Sequence, residues 1–145
     1  MEKINILFVC KYNRFRSKVA EKYFKRINKN SKIKTAGIIE VDRPLDANER
    51  KRNIYLKKKF GFVLNAKSVS VSVKSLMWAD KIIIVADDIS KKIFNNKKWR
   101  NKVEVWKIPD ENTDNKEKIN RIVGKIMKKV DNLVKQLEKE KWQKS

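Results

Sequence analysis

The sequence predicts an α/β fold: one doubly wound domain over residues 1–145, with a four-stranded parallel sheet flanked by helices. Three observations predict it. Short apolar runs of β-forming residues recur, as at Ile6, Leu7, Phe8 and Val9 and again at Ile82, Ile83, Ile84 and Val85. Such runs are too short for stand-alone helices and fit strands buried on both faces. Stretches with apolar residues at helical steps separate them, and this βαβ alternation puts parallel strands into one sheet. No repeat or linker divides the chain, and 145 residues suffice for one real core.

The first strand is expected through Ile4, Ile6, Leu7, Phe8 and Val9, and a helix over residues 17–28 follows a short loop. Ser17 has the character of an N-cap. Val19, Ala20, Tyr23, Phe24 and Ile27 supply the buried stripe, and Lys18, Glu21, Lys22, Lys25 and Arg26 the wet face. After a turn at residues 28–31, residues 32–36 read as the second strand, ended by Gly37. Residues 38–45 form a loop at a strand end, either a substrate-contacting loop or a plain connector. Asp46 caps a helix over residues 47–60, with Glu49 in its first turn, three lysines near its end and Gly61 at C′.

Residues 62–71 read as irregular, and Ser72 caps a short helix over 73–78 with Leu76 and Met77 facing inward. The third strand is residues 81–86. Asp87 and Asp88 then open a helix over 89–95; such a pair at a helix start is a cap more often than a metal site. A polar loop over 95–101 holds Trp99. The fourth strand, residues 103–108, is stopped by Pro109. A long helix over 115–142 carries Ile119, Ile122, Val123, Ile126, Met127, Val130, Leu133, Val134 and Leu137 at helical spacing, a core stripe.

The chemistry concentrates between the first strand and first helix. Cys10 is followed by five residues, then Arg16 and Ser17. A loop between a strand's carboxyl end and a helix's amino end directs backbone N–H groups into one concavity, where an anion binds. Helix amino ends lower thiol pKa values from ~8.5 to roughly 3.5–7.5, which makes a thiolate nucleophile. Arg16 supplies a planar, permanently charged fork matched to two phosphate oxygens. The Ser17 hydroxyl is able to donate to the thiolate. A lone Cys at a strand end is commonly a small buried hydrophobe; the Arg at this spacing, the Ser after it and the strand–loop–helix context argue for a phosphoryl-transfer site. Lys11, Tyr12, Asn13, Arg14, Phe15, Arg16 and Ser17 are the expected substrate-binding residues.

Cys10, Asn13, Arg16 and Ser17 together resemble the phosphate loop of the low-molecular-weight protein tyrosine phosphatases, whose fold the thioredoxin-coupled arsenate reductases share. The resemblance covers nearly the whole chain: Thr35-Ala36-Gly37, the run from Trp78 through Ala79, Asp80 and Lys81 to Ile82 and Ile83, and the run from Trp106 to Asp110 all resemble family segments. It implies the strand order 2-1-3-4, phosphomonoester hydrolysis through a cysteinyl-phosphate, and a general acid near residue 110. The residues point the same way. A displaced oxyanion needs a proton, the chain has no histidine, and Asp110 follows the fourth strand at the sheet edge that holds Cys10. The bland reading of Asp110 is a Pro-Asp turn; Asp114 is the second choice, and Asp87 and Asp88 share that edge. The chain departs from the family in several places. Tyr12 replaces a Gly, Arg14 a small or apolar residue, and Phe15 a second Cys. Glu111 replaces a Pro, Asn112 and Thr113 stand where aromatics are common, and Ala66 falls at the place of a His that supports the loop Asn.

Net charge is +21, from 38 Lys and Arg against 17 Asp and Glu. Such a surface attracts polyanions. The basic residues are spread over every segment with no nucleic-acid-binding motif, so no specific nucleic-acid partner is expected. A cytoplasmic location is expected, because no signal peptide or membrane-spanning run is apparent and a single Cys excludes an internal disulfide framework. The expected partner is a phosphorylated substrate, a phosphotyrosine protein or a small aryl phosphate, with no metal or cofactor. Two alternatives stand beside the hydrolase: an arsenate reductase-like enzyme, whose intramolecular disulfide relay needs further cysteines, and a non-catalytic oxyanion- or nucleic-acid-binding module.

Overall fold

The computed structural model describes residues 3–144. Its strands are β1 (Asn5–Cys10), β2 (Lys32–Gly37), β3 (Lys81–Val85) and β4 (Val103–Trp106), and its α-helices α1 (Arg16–Ile27), α2 (Ala47–Phe60), α3 (Val73–Trp78) and α4 (Lys116–Lys144). The four strands are parallel in the order β2-β1-β3-β4, as the family resemblance implies. β1 is central, with Ile6, Leu7, Phe8 and Val9 wholly buried, which explains an apolar run without alternation.

Successive residues of each strand face opposite layers. Ile6, Phe8, Ile83, Val85 and Trp106 pack against the apolar stripes of α1 and α4. Leu7, Val9, Ile82 and Ile84 pack against Leu76 of α3 and against Phe94 and Trp99 near two 3₁₀ turns, Lys91–Phe94 and Arg100–Lys102. Helical structure thus covers both faces, which makes the sheet doubly wound. Phe8 sits 6.1 Å from Phe24 and 5.7 Å from Trp106 between ring centres, and truncating a buried aromatic of this kind to alanine costs about 3–5 kcal/mol.

Three helix starts follow directly from sequence. Asp46 and Glu49 form a reciprocal capping box at α2, and Ser72 and Ser75 do so at α3. Asn115 Oδ1 accepts from Lys118 N at 3.1 Å at the start of α4. Gly61 closes α2 in the left-handed conformation, φ 74°.

Several expectations are corrected. Ser17 is not the N-cap of α1; Phe15 holds that position without a side-chain cap, because the Ser17 hydroxyl is engaged in the loop before it. Lys18 is buried rather than on the wet face, and Met77 is exposed rather than inward. β3 ends at Val85 and β4 at Trp106, after which Ala86 N and Asp87 N still donate to Trp106 O and Ile108 O. The helix expected over 89–95 is one 3₁₀ turn capped by Ser90, so Asp87 and Asp88 do not cap it. No helix among the described residues is long and apolar enough to cross a membrane.

Candidate active site

β1 delivers Cys10 to the carboxyl edge of the sheet, and α1 begins six residues later at Arg16. The loop between them is held from outside by its carbonyls. Those of Cys10 and Lys11 accept from Ile38 N (3.1 Å) and Ile39 N (2.8 Å), that of Tyr12 from Ser68 Oγ (2.9 Å) and that of Arg14 from Arg52 Nη2 (3.3 Å). A trans peptide sets its N–H opposite its carbonyl, so these four bonds aim the N–H groups of Lys11, Tyr12, Asn13 and Phe15 the other way, into the loop. This is the geometry of an anion cradle.

Asn13 fixes the sharpest bend. Its φ of 55° is the one positive value among described non-glycine residues, and Asn tolerates that region. Its side chain is wholly buried: Nδ2 donates to Ser17 Oγ at 2.9 Å, and Oδ1 accepts from Val69 N at 2.9 Å. Support for the loop Asn therefore comes from Ser17 and the 68–69 backbone, with Ala66 in the place of the family His. As a thiol, Cys10 Sγ donates to the Ser17 oxygen 3.1 Å away; as a thiolate it has no proton to give, and the Ser17 hydroxyl turns its own hydrogen to the sulfur. Gly37 lets β2 close on the loop, since a Cβ there would lie 2.9 Å from both Asn13 N and Tyr12 C.

All the buried polar side chains among the described residues surround this loop: Asn13, Arg14, Arg16, Ser17, Lys18, Glu49 and Arg52. Four are cations and one is a carboxylate. Arg16, 2% exposed, donates from Nη1 to Asp88 Oδ1 (3.1 Å) and to Ile108 O (2.9 Å), while its Nη2 lies 3.9 Å from Asp110 Oδ2. Arg52 lies over the Phe15 ring at 4.5 Å; burial holds its pKa below the usual value, against the opposing pull of Glu49 and Asp110. Arg14 Nη1 reaches Glu49 Oε1 at 3.4 Å, and its Nη2 donates to Arg43 O. Burial pushes the Glu49 carboxyl up, but the Asp46 N–H and the Arg43 side chain at 2.6 Å outweigh it and hold the carboxyl below its usual range. An excess of buried positive charge around one thiol is the electrostatic form of a site for a dianion.

The residues expected from sequence divide accordingly. Cys10, Asn13, Arg16 and Ser17 come together, and Asp110 stands beside Arg16 with about one-third of its side chain exposed. Tyr12 is partly exposed, and Lys11 Nζ lies 5.4 Å from its ring centre. The side chains of Arg14 and Phe15 turn away, to Glu49 and into the core, so these residues face the cradle through their backbone alone. Asp114 pairs with Lys51 at 3.6 Å on the surface. An open cleft of about 420 Å³ adjoins the loop, lined by Arg14 and by residues 40–44 and 66–68. Sequence reasoning places Asp88 at this edge but reads it as a cap, and it misses the roles of Glu49, Arg52 and the 65–69 segment. A signal exists for Glu49 and Arg52: with the buried Leu56 they share one face of α2 at steps of three and four. No three His, Cys, Asp or Glu side chains among the described residues gather as a metal site.

The comparisons agree with this geometry. The family model described as low molecular weight phosphotyrosine protein phosphatase matches residues 5–143. No curated protein matches the chain. Among solved structures, a low molecular weight protein tyrosine phosphatase from T. tengcongensis is 20% identical, with 92% of this chain and 99% of that one aligned and a TM-score of 0.77. The YwlE arginine phosphatase from Geobacillus stearothermophilus is 19% identical over 97% and 96%, with a TM-score of 0.77. An arsenate reductase from Archaeoglobus fulgidus is 25% identical over 89% and 98%, with a TM-score of 0.69. With its sheet order, its loop and a family match over almost its full length, the chain belongs to the low molecular weight phosphotyrosine protein phosphatase family.

Proposed function

We propose that this protein is a cysteine-dependent phosphomonoester hydrolase, a protein tyrosine phosphatase by class, that works through a cysteinyl-phosphate on Cys10. The observation that carries the reading is the set of buried polar side chains gathered around that one thiol. In the first step Cys10 Sγ attacks phosphorus, an S–P bond forms and the bond to the leaving oxygen breaks. Asp110 protonates that oxygen, and Arg16 and the loop N–H groups hold the equatorial oxygens. In the second step water attacks phosphorus and gives a proton to Asp110. The S–P bond breaks, and Ser17 donates to the departing thiolate.

Two features bear on the substrate. Family membership favours phosphotyrosine. Asn112 and Thr113 follow Asp110-Glu111 where aromatics are common in the family, and one neighbour of the same fold is an arginine phosphatase, so phosphoarginine is the second substrate to test. Arsenate reduction by an intramolecular disulfide relay is disfavoured, because Cys10 is the chain's single cysteine. The test is turnover of phosphotyrosine, phosphoarginine, phenyl phosphate and an alkyl phosphate, without added metal and with a thiol reductant, by wild type and Cys10→Ser. The reading expects turnover of at least one aryl ester and none by the mutant. No turnover of any ester, or activity retained by Cys10→Ser, contradicts it.

A further inference from the structure

Lys18 is one of the buried charges that the proposed mechanism leaves unused. It sits in the first turn of α1, directly after the loop, and is 4% exposed. Its ammonium group has no carboxylate partner within salt-bridge distance among the described residues. It donates instead to three oxygens of one short segment: Asn65 O at 2.9 Å, Asn65 Oδ1 at 2.6 Å and Lys67 O. An ammonium has three N–H bonds, and all three are used.

The segment it holds is the one that supports the loop. Immediately after Lys67, Ser68 Oγ donates to Tyr12 O, and Val69 N donates to Asn13 Oδ1. The far end of the segment is fixed to β2 by Gly37 N to Val69 O (2.7 Å) and Val71 N to Gly37 O (2.9 Å). The near end has Lys18. From there the contacts run through Asn13 to Ser17 and so to Cys10. We infer that Lys18 is a positioning residue: its cation fastens the 65–69 segment across the loop, so that Asn13 keeps its left-handed bend and the anion cradle stays formed. This rests on the proposed phosphatase reading only in naming the cradle's ligand as a phosphoryl group.

The charge state of the fastener follows from its surroundings. Burial pushes the Lys18 pKa down to about 8; Glu21 on the same helix and Cys10 in the loop pull it up, and Arg14 and Lys22 push it further down. The faces of the segment packed on Lys18 are neutral amide oxygens of Asn65 and Lys67. When the proton leaves, a lone pair on nitrogen faces one of those oxygens, and a contact that held the segment becomes repulsive. With the folded pKa below the unfolded value, protonated Lys18 costs stability below pH about 8, and that cost fades as pH rises toward 10.5. Its benefit is therefore to be read in anion binding, not in melting temperature.

The test uses sulfate, which stays a dianion across the pH range, and needs no turnover, so its failure is separate from failure of the hydrolase reading. Binding is measured calorimetrically on the full chain in a Cys10→Ser background, which removes the thiol. With Lys18 present, and without the upward pull of Cys10, sulfate affinity falls as pH rises toward 8. Lys18→Met should bind sulfate about tenfold more weakly at neutral pH, the size of one lost hydrogen bond, and should lose the alkaline fall. Asn65→Ala, on the exposed segment, removes the side-chain oxygen that accepts from Lys18 Nζ and from Lys67 N at 3.0 Å, without touching the core, and should weaken sulfate in the same direction by less. It also serves if Lys18→Met does not fold. Unchanged sulfate affinity in Asn65→Ala, or an alkaline fall that persists in Lys18→Met, overturns the inference.

Discussion

Replacing Arg16 by Lys is the sharpest probe of the cradle. The two protons on Nη1 are already committed, one to Asp88 and one to the Ile108 carbonyl. Nη2 and Nε are left to hold the phosphoryl oxygens. Hydrogen bonds to charged groups are worth about 1.5–3 kcal/mol each, so losing two costs about 3–6 kcal/mol of transition-state binding. At 1.36 kcal/mol per decade this is about 10²–10⁴ in kcat/KM, and the charge that Lys retains puts the expected loss nearer 10²–10³. Lysine also leaves the Ile108 carbonyl, in a residue 1% exposed, without the Arg16 donor. That carbonyl keeps its bond from Asp87 N, so the loss is one hydrogen bond rather than an orphaned acceptor, about 0.5–1.5 kcal/mol and a fall of a few degrees in Tm. The assay is kcat/KM on an aryl phosphate, together with the inhibition constant of inorganic phosphate and a thermal melt. Catalytic efficiency within about threefold of wild type, with the melt unchanged, would refute the assignment of Arg16 to the phosphoryl oxygens.

Two further substitutions test other parts of the site. Asp110→Asn should slow the phosphorylation step for phenyl phosphate by about 10²–10⁴ and for an activated nitrophenyl ester much less, since a good leaving group needs no proton; burst kinetics isolate that step, and equal slowing for both esters removes Asp110 from the acid role. Gly37→Ala brings a Cβ to 2.9 Å from Asn13 N and Tyr12 C, both backbone atoms, so it should weaken phosphate inhibition while leaving the distant α2 and α3 caps intact; unchanged phosphate inhibition would show that the loop does not depend on close approach of β2.

Local signals made much of the fold legible. A short run of apolar β-formers fits a strand covered on both faces, and β1 is one. The Asp46–Glu49 and Ser72–Ser75 boxes act within four residues, and α2 and α3 begin where those pairs say. The Cys10–Arg16–Ser17 spacing likewise states a loop that closes on itself. What sequence reading missed depends on partners far along the chain. Lys18 falls in the same helical stripe as Lys22 and Lys25 and reads as solvated; its acceptors lie in residues 65 and 67, which only the tertiary fold brings near. Asp88 looked like a cap because acidic residues commonly start helices, yet the following turn is capped by Ser90 and the carboxylate is drawn to Arg16. The replacement of the family His by Ala66 left the support of Asn13 open, and a backbone N–H, invisible in any sequence, supplies it. The loop positions lie together around Cys10, but which side chains turn inward is not legible in the sequence: Arg14 has a long charged side chain suited to a phosphate, and Glu49 takes it away.

In the proposed mechanism phosphate passes through a covalent bond to the Cys10 sulfur. The most direct measurement mixes the enzyme with an activated aryl phosphate, quenches in acid within the first turnover, and maps the added mass by peptide sequencing in a mass spectrometer. The mechanism predicts one phosphoryl group on the peptide that contains Cys10, longer-lived in Asp110→Asn, and absent in Cys10→Ser. Product release with no phosphoryl group on that peptide at any quench time, or a phosphoryl group on another residue that persists in Cys10→Ser, would contradict it.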